Sequence, residues 1–239
     1  MSGHSKWANI KRRKEAVDGK KANIFSKLGK EITIAVRDGG ADPNINRKLK
    51  DVISKAKSNN MPNDNIQRCI QKASGEGNNI NYEEIVYEGF GPCGTSIIIE
   101  AMTDNKNRAA ADIRSVFTKS GGNMGQTGSV SYMFDKKGVI IIEKDDSVDE
   151  DELMLEVLDN GAEDFIIDDE YIEIRVEVSN FSNLKDYLED KGVVFVEAEI
   201  KMIANMKKEL TEEEENKLQI FLDKLDDLDD VQNVWHDAE

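Results

Sequence analysis

The spacing of apolar residues changes near residue 75, and this change divides the chain into two kinds of structure. Before it, apolar residues recur every three or four positions, as on one face of a helix. After it, short apolar runs alternate with turns rich in glycine and asparagine, which is typical of strands. The segment 75–79, Gly-Glu-Gly-Asn-Asn, lies at the change and indicates a linker. The pattern predicts a mixed fold with a helical first part.

Three helices are predicted before residue 76. The first carries an apolar stripe from Ile24 to Val36 and ends at a pair of glycines. The second is expected to begin at Pro43 with Asp42 as its cap, and to bury Ile45 at the start of its apolar face. The third is predicted from Asn63 or Asp64 to about Ala73, ending at Gly75. Because each stripe can be buried only against the others, we expect a three-helix domain.

From Tyr82 onward the pattern predicts alternating strands and helices. The predicted order is strands 82–88 and 95–103, helix 107–120, a glycine-rich loop 121–128, strands 130–134 and 138–143, helix 149–160, a hairpin of 164–168 with 171–178, helix 184–191 and strand 193–201. From residue 130 the order ββαββαβ resembles a ferredoxin-like split βαβ unit with one extra strand at its start. The glycine-rich loop is expected to lack regular structure, and a hinge is favoured over a mobile contact loop.

The C-terminal segment predicts a discontinuous domain. Thr211 and Glu214 have the spacing of a capping box, an apolar stripe covers 218–228, and 231–235 is a short strand. One helix and one strand cannot fold alone, and the region 82–120 lacks such a complement. We therefore expect an α+β protein with a helical N-terminal domain and two α/β domains, at least one of them ferredoxin-like. The predicted domains are 1–76, then 80–128 with 205–239, and an inserted domain at 129–204.

Charge is distributed unevenly along the chain. The net charge is −16, but residues 1–75 hold 17 Lys and Arg against 7 Asp and Glu, a balance of +10, and the remaining 164 residues carry −26. Such an asymmetry indicates that the first domain contacts a polyanion. The alternative is that the acidic part folds back on the basic part and screens it.

The basic stretch from Gly3 to Lys30 is the candidate nucleic-acid-binding site, because clustered cations that neutralise phosphates release bound counterions. A solvated basic face or a localisation tract is the alternative. Trp7 could stack on an unpaired base or anchor the N-terminal arm to the helices. The candidate residues are Lys6, Trp7, Lys11, Arg12, Arg13, Lys14, Lys20, Lys21, Lys27 and Lys30.

The histidines and cysteines do not indicate an enzyme. His4 and His236 are the only histidines and lie at opposite ends of the chain. Cys69 and Cys93 have no second thiol or histidine nearby in sequence. We therefore predict no catalytic residues, no metal site and no cofactor.

One nucleotide-binding pattern is better explained as a turn. Gly89, Gly91 and Gly94 match G-x-G-x-x-G, but Pro92 lies inside the pattern and a strand follows it. The phosphate-binding version must open a helix, so that the N-terminal amides of the helix face the phosphates. A hairpin turn is predicted here.

The apolar runs are too short for a membrane helix, which needs about 20 apolar residues. No apolar stretch follows the N-terminal charges, so a secretory signal is not expected. The sequence predicts a cytoplasmic protein without membrane contact. A monomer is favoured, because no coiled-coil pattern is present.

Several sequence blocks resemble those of a known family. The blocks are Gly3–Lys11, Phe25–Leu28 with Glu31–Thr33, Gly39-Gly40 with Asp42-Pro43, Asn60–Ile66, Tyr87–Pro92, Thr103–Arg108 and Gly128–Val130 with Met133-Phe134. In this order, and over essentially the whole chain, they are similar to the signature blocks of the YebC family. The chain departs from the usual family pattern at Cys93, where glycine is common, at Gly29 and at Arg12-Arg13, where a histidine often occurs.

The resemblance implies a basic helical first domain, two α/β domains and a role in gene expression without catalysis. Bacterial members are described as probable DNA-binding transcriptional regulators, mitochondrial relatives as translational activators of cytochrome oxidase, and some bacterial members as ribosome-associated factors. We expect a translation factor that binds ribosomal RNA or tRNA, with the ribosome as a possible partner. A DNA-binding transcriptional regulator is the alternative, and an acidic nucleic-acid mimic that binds proteins is a third hypothesis.

Overall fold

The computed structural model describes residues 17–75, 81–144 and 149–238, with the backbone alone for 17–20. The described residues form seven helices and two antiparallel four-stranded sheets, which confirms the predicted α+β class with a helical N-terminal region. The helices are α1 (Val17–Gly39), α2 (Arg47–Ser58), α3 (Asn63–Ser74), α4 (Lys106–Lys119), α5 (Glu150–Asp159), α6 (Val178–Asp190) and α7 (Glu212–Asp226). The strands are β1 (Glu83–Phe90), β2 (Ser96–Thr103), β3 (Asn123–Met124), β4 (Phe134–Glu143), β5 (Ala162–Ile167), β6 (Tyr171–Glu177), β7 (Glu197–Ala204) and β8 (Val231–His236).

Helices α1, α2 and α3 pack around one apolar cluster. Ile32 of α1, Leu49 and Ala56 of α2 and Ile66 of α3 are all at most 1% exposed and belong to this cluster. The predicted apolar stripes are therefore buried against one another, because none of the three helices could bury its stripe alone.

Helix α2 begins four residues later than predicted. Its N-cap is Asn46, whose side-chain oxygen accepts from the Leu49 N–H at 3.0 Å. The Asn46 amide also donates to the carbonyls of Ala35 and Gly40, each at 2.7 Å, so the same side chain joins α1 to α2. Asp42 instead accepts from a backbone N–H two residues later and forms a local turn. The predicted cap at Asp42 was wrong, and Ile45, predicted to be buried, is 81% exposed.

The first sheet has the strand order β3-β1-β2-β8, all antiparallel. Strands β1 and β2 form a hairpin through a 3-10 turn at Pro92–Gly94, which confirms the hairpin expected in place of a dinucleotide loop. Strand β8, the last of the described chain, pairs with β2. Helices α4 and α7 meet through Phe117 and Phe221, two fully buried rings whose centroids are 5.0 Å apart.

The glycine-rich segment after α4 is more ordered than predicted. It contains β3, which pairs with Gly89 and Phe90 of β1. Beyond β3, the buried carboxylate of Glu88 accepts from the N–H groups of Gly128, Val130 and Ser131 at 2.8 to 2.9 Å. The expected absence of regular structure was wrong, because a carboxylate from β1 supplies the acceptors that the segment lacks within itself.

The second sheet has the order β5-β6-β4-β7, again antiparallel throughout. With α5 after β4 and α6 after β6, it forms the predicted ferredoxin-like βαββαβ arrangement. The extra strand predicted at 130–134 is absent from the described residues: Ser131–Met133 is a 3-10 turn, and β4 is one continuous strand. Gly138 does not interrupt β4, because its missing side chain makes room for the ring of Phe181.

The described residues divide into two compact units. One contains 17–131, without 76–80, together with 210–236; the other contains 132–209, without 145–148, together with 237–238. The predicted helical domain and most of the predicted discontinuous domain thus lie in the first unit, and the ferredoxin-like sheet lies in the second. The division into three domains stays a prediction.

Candidate nucleic-acid interface

The structure describes only part of the predicted nucleic-acid-binding set. Lys6, Trp7, Lys11, Arg12, Arg13 and Lys14 lie outside the described residues, and so does the side chain of Lys20. Three predicted lysines remain on α1: Lys21 is exposed, whereas Lys27 and Lys30 are 8% and 9% exposed. Their role in binding stays a prediction, and the surroundings of the two buried lysines bear on it.

Lys27 contacts the C-terminal end of α7. Its ammonium donates to both the carboxylate and the backbone carbonyl of Asp226, each at 2.8 Å. The amide of Asn23, one turn earlier on α1, donates to the same carbonyl at 3.1 Å. A cation is favourable at this position, because the last carbonyls of a helix carry partial negative charge.

Lys30 is surrounded by acceptors. Its ammonium donates to Asp230 Oδ1 at 2.8 Å, to the carbonyl of Asp229 at 2.7 Å and to the carbonyl of Met102 at 3.3 Å. The ring of Tyr82 lies 5.7 Å from the same nitrogen. Three acceptors match the three N–H groups of an ammonium, so Lys30 has no donor left for a phosphate while this arrangement holds.

Asp230 binds a second cation. Its Oδ2 accepts from the guanidinium of Arg108 at 2.8 and 3.2 Å. Burial alone would raise the pKa of Asp230, but hydrogen bonds from Lys30 and Arg108 outweigh burial and lower that pKa below its ordinary value. The same contact with Asp230 raises the pKa of Arg108. Asp230 is therefore an ionised group that holds α1 against the first sheet.

Lys27 and Lys30 lie off the apolar stripe of α1, yet both are buried. Helix α1 packs on a second side, against the end of α7 and the start of β8. Lysine suits this boundary because its apolar stem can be buried while its ammonium meets oxygens. Both ion pairs favour a structural role for these lysines, and we leave them out of the interface proposed below.

The outward face of α2 carries exposed cations at helical spacing. Arg47, Lys50 and Lys57 are all exposed. Arg47 lies opposite the buried Leu49 and Ala56, and Lys50 and Lys57 flank it on one side of the outward half of the helix. Two exposed serines, Ser54 and Ser58, lie on the same outward half of the helix. We refer to Arg47, Lys50 and Lys57 as the α2 basic face.

Helix α3 adds exposed cations to the same compact unit. Arg68 and Lys72 are exposed and lie one turn apart. The residue one turn earlier on this side is Asp64, so the charge here is mixed. The α2 basic face is the denser group, with three exposed cations, although the half-buried Asp51 lies one turn after Arg47.

Sequence analysis missed the α2 basic face although the signal was present. The segment 47–57 reads Arg-Lys-Leu-Lys-Asp-Val-Ile-Ser-Lys-Ala-Lys, with five cations and one anion. Its apolar residues served to predict the buried side of a helix, and the same periodicity places residues 47, 50 and 57 on the other side. The basic run before residue 31 is denser, and the predicted binding site rested on that run alone.

Such a face can hold phosphates but offers little for reading bases. Arg and Lys contact phosphate oxygens, and serine hydroxyls add hydrogen bonds. The side chains that commonly read adenine, Asn and Gln, are absent from the helix Arg47–Ser58. The expected binding mode is therefore contact with the backbone or shape of a nucleic acid.

Within residues 17–75, 81–144 and 149–238, no group of three or more His, Cys, Asp or Glu side chains could hold a metal ion. None of the helices in these ranges is long and apolar enough to cross a membrane.

Comparison with known proteins gives two adjoining family matches. Residues 5–76 match the family model described as the TACO1/YebC protein N-terminal domain, and residues 82–238 match the one described as the TACO1/YebC second and third domain.

Two curated relatives cover nearly the whole chain. A probable transcriptional regulatory protein of Acetivibrio thermocellus is 55% identical, covering 99% of this chain and 98% of the relative. One from Ruminiclostridium cellulolyticum is 60% identical, covering 94% of this chain and 90% of the relative. Among solved structures, a conserved hypothetical protein from Aquifex aeolicus, Aq1575, matches with a TM-score of 0.82 and 39% identity over 93% of this chain and 92% of that one.

Proposed function

The chain belongs to the TACO1/YebC family, and we propose that it regulates gene expression as a non-enzymatic protein that binds nucleic acid through its helical region. The observation that carries the proposal is the α2 basic face, on which Arg47, Lys50 and Lys57 are exposed together. The names of the curated relatives support a regulatory role. In this proposal the N-terminal basic stretch, with Lys6, Trp7 and Lys11 to Lys14, also binds the nucleic acid.

We propose RNA on the ribosome as the target. The 164 residues after Gly75 carry a net charge of −26, so a bare polyanion would repel most of the protein. A ribosome contains basic proteins beside its RNA. The acidic part of the chain could contact these proteins while the basic region contacts RNA phosphates. The absence of Asn and Gln from α2 agrees with a target recognised by shape and position.

Regulation by binding DNA is the second candidate. It is favoured by the names of the two relatives, both of which are called probable transcriptional regulatory proteins. A DNA-binding mode would use the same basic residues on backbone phosphates, so mutation of the face alone does not distinguish the two targets.

Sedimentation with purified ribosomes distinguishes the two targets. The protein is centrifuged with ribosomes at physiological salt, with and without excess duplex DNA. We expect it to sediment with ribosomes and to stay bound when DNA is added. Release by DNA would favour the transcriptional candidate, and an absence of binding to both would overturn the proposal.

A matched pair of variants tests the interface. K50E/K57E reverses two charges of the α2 basic face. K119E/K224E makes the same change in net charge at two exposed lysines of the same compact unit, on α4 and α7. We expect the first variant to lose ribosome binding by about tenfold or more and the second to keep it, because a phosphate contact acts locally. An equal loss in both would show that net charge, and not this face, controls binding.

A further inference from the structure

The second compact unit has an apolar edge in an acidic setting. Strand β5 lies at one end of the sheet, and among the described strands it pairs only with β6. Two residues of β5, Ile166 and Ile167, are 37% and 48% exposed. On the neighbouring helix α5, Leu155 and Leu158 are 62% and 42% exposed. Side chains alternate along a strand, so Ile167 lies on the face of the sheet that α5 covers and Ile166 lies on the other face. Apolar side chains therefore border this edge on both faces, and a partner could cover them.

The backbone of β5 can accept another strand. At the hairpin end, the N–H of Asp168 donates to the carbonyl of Tyr171 at 2.9 Å, so Asp168 and Tyr171 form a hydrogen-bonded pair of the ladder. Hydrogen-bonded and non-hydrogen-bonded pairs alternate in an antiparallel ladder, so Ile167 and Phe165 direct their N–H and C=O groups away from β6. The register shift in the pairing with β6 lies between Ala162 and Asp164, and it leaves 165–167 regular.

Helix α5 lies next to the β5 edge. It packs against β5, whereas α6 packs against β4. Glu156 on α5 forms an ion pair with Lys191, the residue after α6, so this side of α5 faces α6. Leu158 lies about 200° from Glu156 around the helix axis, on the opposite side, which faces the β5 edge. An added strand could therefore place alternate side chains against Leu158 and Ile167.

The charge around the edge indicates the chemistry of the partner. The segment 149–170, which contains α5 and β5, has eleven acidic residues and no Lys or Arg. Acidic residues can also protect an edge from unwanted pairing. Here, however, the regular segment 165–167 is itself apolar. It is bordered by Glu163 and Asp164, which pair with Lys137 and Arg175, and by Asp168 and Asp169. A basic segment with alternating apolar residues would complement both features.

We propose that the β5 edge binds an extended, basic peptide segment of a partner protein as an added strand beside α5. The segment would contribute main-chain hydrogen bonds to Phe165 and Ile167, apolar contacts to Leu158 and Ile167, and lysine or arginine contacts to the acidic border. The proposal is independent of nucleic-acid binding, because it uses the compact unit that does not contain the α2 basic face.

A defined probe tests the proposal directly. A labelled peptide of about seven residues, in which lysine alternates with valine, is titrated into the full chain and followed by fluorescence anisotropy. Hydrogen exchange is then measured with the peptide at saturation. We expect the amides of Phe165 and Ile167 to exchange about tenfold more slowly or better, whereas the amide of Ile166, which faces β6, stays unchanged. Binding without this alternating protection would overturn strand addition.

Two variants and one matched control locate the site. I167K introduces a positive charge that repels a basic peptide. I167P removes an outward N–H without removing a hydrogen bond to β6. I200K makes the same isoleucine-to-lysine change on β7, at the opposite edge of the same sheet, where the side chain is 37% exposed. We expect I167K and I167P to weaken binding about tenfold and I200K to leave it unchanged. Equal weakening by I167K and I200K would overturn the site.

Two further results would contradict the proposal. The first is equal affinity for a peptide of the same sequence that is N-methylated at every residue, because such a peptide has no N–H to donate from either edge and would be held by charge alone. The second is concentration-dependent dimerisation of the free chain that I167K abolishes. This second result would show that another copy of the chain, and not a basic segment, occupies the edge.

Discussion

Lys30 and Asp230, which are 200 residues apart in the sequence, form an ion pair of 2.8 Å in which each side chain is about nine-tenths buried. The pair links α1 to the residue just before β8. Neither residue is isolated: Lys30 has two carbonyl acceptors, and Asp230 also binds Arg108. Such a pair is costly to disrupt, because removal of one partner leaves the other charge buried.

Asp230→Asn is therefore expected to lower the free energy of unfolding by about 2 to 3 kcal/mol, since the amide leaves Lys30 and Arg108 without their shared negative charge. Urea unfolding of the full chain measures this loss. Asp229→Asn is the matched control, because the Asp229 side chain is exposed and only its carbonyl binds Lys30. A loss below about 0.5 kcal/mol for Asp230→Asn would show that the pair contributes little net stability.

Glu88→Gln tests the carboxylate that organises the segment after β3. Burial would raise the pKa of Glu88, but three backbone N–H donors outweigh burial and lower that pKa below its ordinary value. The substitution puts an NH₂ group among donors and should cost about 2 kcal/mol at neutral pH.

The pH dependence of this loss follows from the lowered pKa. A carboxyl group with a lowered folded-state pKa stabilises the fold above its unfolded-state pKa of about 4 and loses this contribution as the pH falls through the folded-state value. The stability difference between wild type and Glu88→Gln should therefore shrink below pH about 4, which urea unfolding at neutral and acid pH measures. A difference that is constant over this range would mean that ionisation of Glu88 is not what holds the segment.

Local patterns were sufficient to predict several features of the fold. Thr211 and Glu214 form the predicted capping box, because its two hydrogen bonds join residues three positions apart. The ferredoxin-like arrangement also followed from local order, since alternating strands and helices of ordinary length allow few topologies. In both cases the signal lies within one segment or in the order of neighbouring segments.

Features that depend on distant partners could not be predicted. Asp42 and Asn46 are both residue types that commonly cap helices. Asn46 is the N-cap of α2 because its amide also donates hydrogen bonds to the carbonyls of Ala35 and Gly40. Similarly, nothing in the sequence around Lys27 or Lys30 indicates a carboxylate about 200 residues away. The α2 basic face differs from both cases, since its spacing is local and could have been recognised.

Gly29→Ala should stabilise the protein by about 1 kcal/mol. Glycine weakens a helix interior relative to alanine, and a methyl group at this position would meet only Cys69 Sγ at 3.5 Å, an ordinary contact. Thermal unfolding should show a higher midpoint. Gly138→Ala is the opposite control, because its added carbon would lie 2.7 Å from Cβ and Cγ of Phe181 and should destabilise β4 packing by about 1 to 3 kcal/mol. A lower midpoint for Gly29→Ala would indicate that α1 needs the glycine for closer packing than the structure shows.

Lys30→Gln and K50Q/K57Q should separate stability from nucleic-acid binding. Lys30→Gln removes the buried ammonium of an ion pair and should lower the free energy of unfolding by about 2 kcal/mol, without changing how RNA affinity depends on salt. K50Q/K57Q removes two exposed cations and should leave stability within about 0.5 kcal/mol. For RNA binding by K50Q/K57Q, the slope of log affinity against log salt should become shallower by about 1.5, as expected for two lost phosphate contacts.

Anisotropy of a labelled RNA over a salt series measures the slopes, and circular dichroism verifies that each variant is folded. A slope that becomes shallower by about one unit in Lys30→Gln would show that Lys30 leaves Asp230 and contacts a phosphate in the complex.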